Sequence, residues 1–571
     1  MSYFLAPGAA RSAARALALS YPHIRLSEEP LFLRTAARAP GREVCLVAGG
    51  GSGHEPLDTG LLGPGGLDAV VPGEISAAPT ARQIASASRA AASASASRAV
   101  LHIVKNYTGD RLAFAGAGEL LRAEGYRVAQ VVVDDDVATG ASRVGRRGTA
   151  ATVVVEKILG AAADRGTGLE RLAALGSRVA AGSRTIGVAA RAHTVPGTGR
   201  PAFDLPDGRY EYGIGIHGER GAATVSARSC AELVHRMVDD LLAETGSADG
   251  REVLLLVNGL GGTGELELRS IGELARARLA GRGVAVAALA AGTYVSALDT
   301  SGFSLTLTAL APGWLDLWCA PTRTPLRLPG ASAPEAVADP VPPGAEAPAL
   351  VRGSRVVVER LAEVCALLHP ELTRLDTLSG DGDFGDNFTG GVARALERAR
   401  ADGTAGTTAL AHEFLDGVGG TSGPLFGLLF QRVAPVLVNE EKCDLPAFTE
   451  AVAAARDAIC RAGGAAVGDR TLVDALSPAV DTLAGAGADT VAAPLTEAAL
   501  AAVDGARRTA GLRGRLGRSS YVGAHSDGVL DPGAVAVAVV FTTLAAVYEP
   551  AHAHRLPSPG GIVDPVRPRV P

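Results

Sequence analysis

Eight prolines crowd the stretch between Ala320 and Leu350, at positions 321, 325, 329, 334, 340, 342, 343 and 348, among alanines and with almost no apolar periodicity. Such a run belongs neither to a helix interior nor to a central strand, because each proline fixes φ and removes a backbone donor. It predicts a semi-rigid linker over residues 320–352, between a domain at 1–319 and a second at 353–571. Two domains also suit the 571-residue length.

The two parts differ in pattern. Before the linker, β-branched runs (Val44 to Val47, Val100 to Val104, Val128 to Val133, Val253 to Val257) alternate with Ala-rich stretches such as Ala81 to Ala99. That alternation predicts an α/β domain with a parallel or mixed sheet flanked by helices. After the linker, eight helix-length segments fall near 353–369, 387–401, 406–417, 424–435, 446–461, 471–485, 495–510 and 532–547, so the second domain is expected to be nearly all helical. Asp531-Pro532 and Gly423-Pro424 mark helix starts, whose unpaired N–H groups suit a phosphate.

Charge and cysteine usage narrow the class. A net charge of −6 with 4% aromatic residues argues against a basic, base-stacking nucleic-acid surface. The six cysteines (45, 230, 319, 365, 443, 460) form no C-x-x-C pair and read as buried thiols of a reducing compartment. The longest apolar run, Ala534 to Tyr548, is short for a membrane span. Residues 1–27 lack a signal-type apolar core and, with Arg11 and Arg15, read as an amphipathic first helix, so cytoplasm is the expected location. Only three of the 54 basic residues are lysines (Lys105, Lys157, Lys442), and none stands in a P-loop or a kinase-type Val-Ala-Ile-Lys strand.

Three G-x-G-x-x-G matches occur, at Gly213 to Gly218, Gly259 to Gly264 and Gly380 to Gly385. Only the second follows a convincing strand, and no acid stands about twenty residues on for a dinucleotide ribose, so a Rossmann cofactor is not expected. More informative is LDTLSGDGDFGDN, where two glycines let Asp376, Asp381 and Asp383 converge on a hard cation with a nucleotide. An EF-hand is disfavoured, since Gly385 replaces an oxygen ligand and no Glu closes the loop. In the first domain, Gly49-Gly50-Gly51-Ser52-Gly53-His54 and Lys105-Asn106-Tyr107-Thr108-Gly109-Asp110 each follow a strand directly, at the end where open α/β sheets bind ligands. His217, in Gly-Ile-Gly-Ile-His-Gly-Glu, is a third candidate.

Together these motifs carry a resemblance. GGGSGHEP, KNYTGD, GRRG (145–148) with EKILGAAA, GIGIHGE and LGGT resemble the substrate domain of dihydroxyacetone kinases. LDTLSGDGD, GGTSGPLFG, GDRTLVDAL, GRSSYVG and DPGA resemble their nucleotide domain, in the order of the single-chain, ATP-dependent form. The resemblance implies an eight-helix barrel for the second domain and phosphorylation of a small ketose by ATP with magnesium. His217 would hold the ketose covalently as a hemiaminal, Asp110 would act as general base, and His54 would orient the substrate with Gly51, Ser52, Gly53, Lys105 and Ser76. Asp376, Asp381 and Asp383 would hold magnesium. Asn387, Thr421, Ser422, Thr471, Leu472, Arg518, Asp531 and Gly533 would bind the nucleotide. A homodimer is expected, with neither a nucleic-acid nor a membrane partner.

Two departures bear on the substrate. The family commonly reads PAHAG after HEP, whereas this chain has Pro56-Leu57-Asp58-Thr59-Gly60, and its usual phenylalanine is replaced by Ser76 in Gly73-Glu74-Ile75-Ser76. A smaller side chain there makes a four-carbon ketose such as erythrulose an alternative to dihydroxyacetone. The same motifs also suit an FMN-cyclising activity on FAD, or a non-catalytic sugar-sensing coregulator. The complete set of His217, Asp110 and three loop aspartates argues against the coregulator.

Overall fold

The computed structural model describes residue 5 and residues 7–93, 97–139, 145–245, 252–333, 354–402, 406–439, 441–486, 492–516 and 528–563. The chain forms two compact units, residues 1–338 and 339–571.

The first unit is layered. Its strands are β1 (Ile24–Glu28), β2 (Leu31–Thr35), β3 (Val44–Ser52), β4 (Ala69–Ile75), β5 (Ala99–Lys105), β6 (Arg127–Val133), β7 (Ser183–Arg191), β8 (Arg209–Tyr212), β9 (Ala223–Ser226), β10 (Val253–Gly259), β11 (Val286–Gly292) and β12 (Ser301–Ala309). They make two six-stranded mixed sheets, ordered β1-β2-β4-β3-β5-β6 and β11-β10-β12-β7-β8-β9. In the first sheet, β4, β3, β5 and β6 run parallel, so the loops leaving β3 and β5 emerge side by side.

Alternation along β3 shows why both faces are covered. Val44, Leu46 and Ala48 pack with the helices Ala151–Asp164 and Leu169–Ala181 and with β10 and β11 of the second sheet. Cys45 and Val47 face the helices Ala81–Ala92 and Thr108–Ala123. The second sheet buries its other face against Cys230–Thr245 and Glu265–Gly281. A helix layer thus lies between the sheets, and the helix Ala151–Asp164 is buried all round, Glu156 and Lys157 included.

In the second unit each helix packs on the next: Arg355–Ser379, Phe384–Asp402, Gly406–His412, Ser422–Val433, Leu445–Gly463, Val473–Gly485, Pro494–Arg508 and Pro532–Tyr548. The last packs on the first and closes the ring. Pro532–Tyr548 contains the longest apolar run and lies buried within this unit. Among the described residues, no helix is long and apolar enough to cross a membrane.

Four expectations are corrected. The Ala81–Ala99 helix stops at Ala92, and β5 has begun by Ala99. The first helix of the second unit runs past Pro370 to Ser379 and carries Asp376 on its last turn, and the next begins at Phe384. Residues 320–333 dock on the first unit instead of spacing the two. Arg323 N donates to the Pro64 carbonyl at 2.8 Å and Leu326 N to that of Gly60 at 2.7 Å, so their backbone is satisfied by that unit. The rest of the expected linker, 334–352, lies outside the described residues. All six cysteines are free, but only Cys45 and Cys365 are buried, while Cys230 and Cys319 are exposed.

Candidate functional site

The glycine-rich segment expected to be a loop from Gly49 continues β3 to Ser52, and this end of the strand is held close to its neighbours. A Cβ on Gly50 would lie 2.9 Å from Cε and 3.0 Å from Nζ of Lys105, and 3.7 Å from Oδ1 of Asp110, so glycine lets these two side chains close over the backbone. A Cβ on Gly51 would lie 2.7 Å from Ala77 N. Ser52 Oγ donates to the Gly73 carbonyl at 2.7 Å, and Gly53 adopts φ 105°. His54 follows, and its Nδ1 donates to the Ser296 carbonyl at 2.9 Å, which leaves Nε2 as the unprotonated nitrogen.

Lys105 ends β5 and Asp110 lies in the first turn of the helix that follows. His217 arrives from the second sheet, on the loop between β8 and β9. Its ring centroid lies 4.8 Å from that of His54 and 4.1 Å from that of Tyr107, both edge to face. The sequence-predicted His54 and His217 are therefore together, and Lys105 and Asp110 share the Gly50 backbone.

Burial sets the charge state. Desolvation pulls His54 down to about 3 and His217 down to about 4, with Lys105 lowering both further and Arg147 lowering His217, so both rings are neutral near pH 7. Desolvation lifts the Asp110 carboxyl to about 6, opposed by Lys105 and reinforced by Asp58. Among the candidate residues of this unit, three buried polar atoms have no hydrogen-bond partner: His54 Nε2, Tyr107 Oη and Asp110 Oδ1. Buried orphan groups are rare in native proteins, and two of these belong to the rings packed on the His217 imidazole, which points to a polar ligand.

The structure adds residues that the motifs did not single out. Arg147 donates to Asp136 Oδ2 at 2.6 Å, to Glu219 Oε1 at 2.5 Å and to the Gly213 carbonyl at 2.7 Å, which ties both ends of the His217 loop to one guanidinium. GRRG stands out as a motif, but nothing in it announces this task. Asp58 and Glu156 are buried beside Lys105, and only a charge inside an apolar helical run marks Glu156 in the sequence. Leu57 and Thr59 line a small cavity with Gly50 to Ser52, His54, Asp58 and Lys105. Ser76 is exposed outside that lining, its N–H donating to the Ser52 carbonyl at 3.0 Å and its backbone at φ 54°.

The second unit holds a cavity of about 220 Å³. Asp376, Asp381 and Asp383 offer oxygens that lie within 4.8 Å of one another. Asp376 Oδ2 accepts from the amides of Gly382 and Phe384, each at 3.0 Å, and Gly382 takes φ 84° to make this fold. Three helix N-termini border the same cavity: Thr421 and Ser422 at one, Thr471 and Leu472 before the second, and Asp531 and Gly533 at the third. Asp531 Oδ1 caps its helix, accepting from Ala534 N at 2.8 Å. Desolvation pushes the Asp531 carboxyl up to about 7, aided by Asp474 and Asp376. Arg470 and Asp474, which the sequence pattern alone does not mark, complete the wall and its support, Asp474 accepting from Gly468 N and Thr471 N at 2.6 and 2.8 Å. Asn387 stands a turn along its helix, outside the lining, and Arg518 lies outside the described residues.

Comparison with known proteins decides what family builds these two sites. Residues 15–326 match the Dak1 domain and residues 379–546 the DAK2 domain. The chain belongs to the dihydroxyacetone kinase family. It is 35% identical over 573 residues to triokinase/FMN cyclase of Homo sapiens, covering 95% of this chain and 98% of that relative. It is also 35% identical over 560 residues to L-erythrulose 1-kinase of Mycolicibacterium smegmatis, covering 94% and 97%. The crystal structure of dihydroxyacetone kinase from C. freundii in complex with AMP-PNP and Mg2+ superposes with a TM-score of 0.61 over 95% of this chain and 99% of that chain, at 28% identity.

The Arg147 anchor generates a prediction. Arg147→Met removes the tie at both ends of the His217 loop, and amide hydrogen exchange over residues 213–219 is expected to speed up about tenfold, the loss of roughly 1–2 kcal/mol of local protection. Unchanged exchange there would show that the loop is held by other contacts.

Proposed function

We propose that the chain phosphorylates a small ketose, dihydroxyacetone or a close relative, with ATP and magnesium. The observation that carries this reading is the neutral His217 ring packed against His54 and Tyr107, each of which holds a buried polar atom without a partner. A neutral imidazole is a nucleophile toward a carbonyl, whereas a protonated one is not. The ring nitrogen's lone pair forms a bond to the carbonyl carbon, and the carbonyl π pair moves to oxygen. That oxygen takes up a proton as the ring loses one, so the hemiaminal is neutral. His54 and Tyr107 then have the substrate's hydroxyls as partners.

Phosphoryl transfer follows from the same site. Asp110 removes the proton of the attacking ketose hydroxyl, whose oxygen bonds to the γ-phosphorus as the bond to ADP breaks. Ionised Asp110 is needed for this, so the reading expects turnover to fall as pH drops through about 6.

The second unit's cavity fits the nucleotide. Asp376, Asp381 and Asp383 would hold magnesium, which supplies positive charge against the phosphates. The helix starts at Ser422, Val473 and Pro532 offer amide donors for phosphate oxygens, and the structure of the C. freundii kinase with AMP-PNP and Mg2+ supports the assignment.

A four-carbon ketose is the second reading. It is favoured by Thr59, which departs from the family motif and adds a hydroxyl to the lining of the small cavity beside His54, and by the similarity to L-erythrulose 1-kinase; Ser76, outside that lining, does not bear on it. A single additional hydroxyl with one satisfied hydrogen bond contributes about 1 kcal/mol, a several-fold preference that does not exclude dihydroxyacetone.

Three outcomes are expected. With a ketose 13C-labelled at its carbonyl, the NMR signal of the bound substrate should move from the ketone to the tetrahedral region in wild type and stay at the ketone position with His217→Ala; a tetrahedral signal in the variant would remove His217 from the role. Calorimetry should find magnesium-ATP binding at least about tenfold weaker in Asp381→Asn with ketose binding intact, and an unchanged nucleotide affinity would refute the metal assignment. Thr59→Ala, which removes a hydroxyl from the cavity lining, should lower kcat/KM for erythrulose relative to dihydroxyacetone several-fold, and an unmoved ratio would leave the four-carbon reading without its structural basis.

A further inference from the structure

Behind Asp110 lies a cluster of buried charges centred on one ammonium. Lys105 Nζ donates to both carboxylate oxygens of Asp58, at 3.0 and 3.3 Å, and to the Gly49 carbonyl at 3.0 Å. A lysine has three donors, so these bonds use them all. Asp110 Oδ1, buried over the same glycine backbone, has no partner. Asp58 reaches this position at a cost: its backbone stands at φ 58° and ψ −62°, outside the regions that a non-glycine residue adopts readily. Strain of this kind persists where surrounding contacts hold it, and it clusters at functional sites.

We infer that Asp58 is a positioning residue for proton transfer: it holds the Lys105 ammonium on the loop after β3, so that Asp110 keeps a free oxygen for the substrate hydroxyl. The inference rests on the reading of Asp110 as general base. Without Asp58, the nearest carboxylate for a buried ammonium is Asp110 itself, and an ion pair there would occupy the oxygen that the reaction needs.

The neighbours of Asp110 agree with this division of labour. Lys105 approaches from the end of β5 and Asp58 from the loop after β3. Glu156, on the buried helix behind them, is held far above the ordinary carboxylate range, by burial first and then by Asp58, and so adds no charge. His54 and His217 are both neutral. The Asp110 carboxyl, lifted to about 6, is therefore balanced between desolvation and Asp58, which raise it, and Lys105, which lowers it.

The test is the pH dependence of kcat/KM for dihydroxyacetone in variants of the full chain. Wild type should lose activity as pH falls through about 6, because Asp110 protonates. In Asp58→Asn the raising influence is lost and Lys105 turns to Asp110. The acidic limb should move down by about one unit and the plateau should fall several-fold. Lys105→Met should move the limb the opposite way, a pattern that general loosening of the site does not produce. Should Asp58→Asn fail to fold, the comparison of Lys105→Met with Asp58→Asn/Lys105→Met reads the same influence with no buried ammonium left unpaired, and the limb should lie lower in the double variant. A limb unmoved or raised by removal of Asp58 overturns the inference. Asp110→Asn separates the two ideas: a limb near 6 that survives it sinks the base assignment and the inference together, whereas a limb lost in Asp110→Asn and unmoved in Asp58→Asn sinks the inference alone.

Discussion

A lysine ammonium that is 2% exposed at the end of a central strand has to be neutralised where it stands, and the architecture of the first unit's site follows from that need. Burial strips the charge of water, at a cost of several kcal/mol if nothing replaces it. Asp58 and the Gly49 carbonyl replace it. The side-by-side exits of β3 and β5 make the pair possible, and Gly50 leaves the space through which Lys105 and Asp110 meet the backbone. Desolvation pulls Lys105 down, but the carboxylates around it, Asp58 first, outweigh it and keep the ammonium charged. The chain uses lysine sparingly. Lys157 is also buried, donating to the carbonyls of Leu317 and Ala320, so two of its three lysines serve where a compact ammonium on a flexible stem fits an enclosed space.

The two sites solve opposite electrostatic problems. The first unit's site keeps its imidazoles neutral by enclosing them, as the proposed nucleophilic role of His217 requires. The cavity of the second unit instead gathers carboxylates, of which Asp381 and Asp383 are exposed, and helix N-termini, which suits a multivalent anion accompanied by a cation. One chain thus combines a site dominated by desolvation with one dominated by fixed dipoles and charges.

Much of this was legible in the sequence wherever the signal is local. β-branched runs gave β3, β5, β6 and β10, because a strand's pattern is carried by a few consecutive residues. The glycine run before His54 and the three loop aspartates stood out because each sits beside a turn that glycine permits, at Gly53 and Gly382, and the Lys105 to Asp110 segment because it stands at the end of a strand. Helix ends were less legible. Pro370 ended the reading of a helix that continues through it to carry Asp376, since packing of Leu368, Leu372 and Leu375 overrides the local break. Asp58 and Glu156 were unreadable as partners, for they come from a loop and a helix far apart in the chain and meet only once the layers close. The docking of residues 320–333 was hidden for the same reason: proline content describes stiffness, not what the backbone rests on.

The central claim is that this kinase-family chain selects its substrate through a carbonyl held by a neutral histidine. The most direct test is ATP-dependent ADP release measured with dihydroxyacetone and erythrulose beside glycerol and erythritol, the matched polyols that lack the carbonyl. The account predicts turnover with the ketoses and little or none with the polyols at equal concentration. Comparable turnover of glycerol and dihydroxyacetone would contradict it.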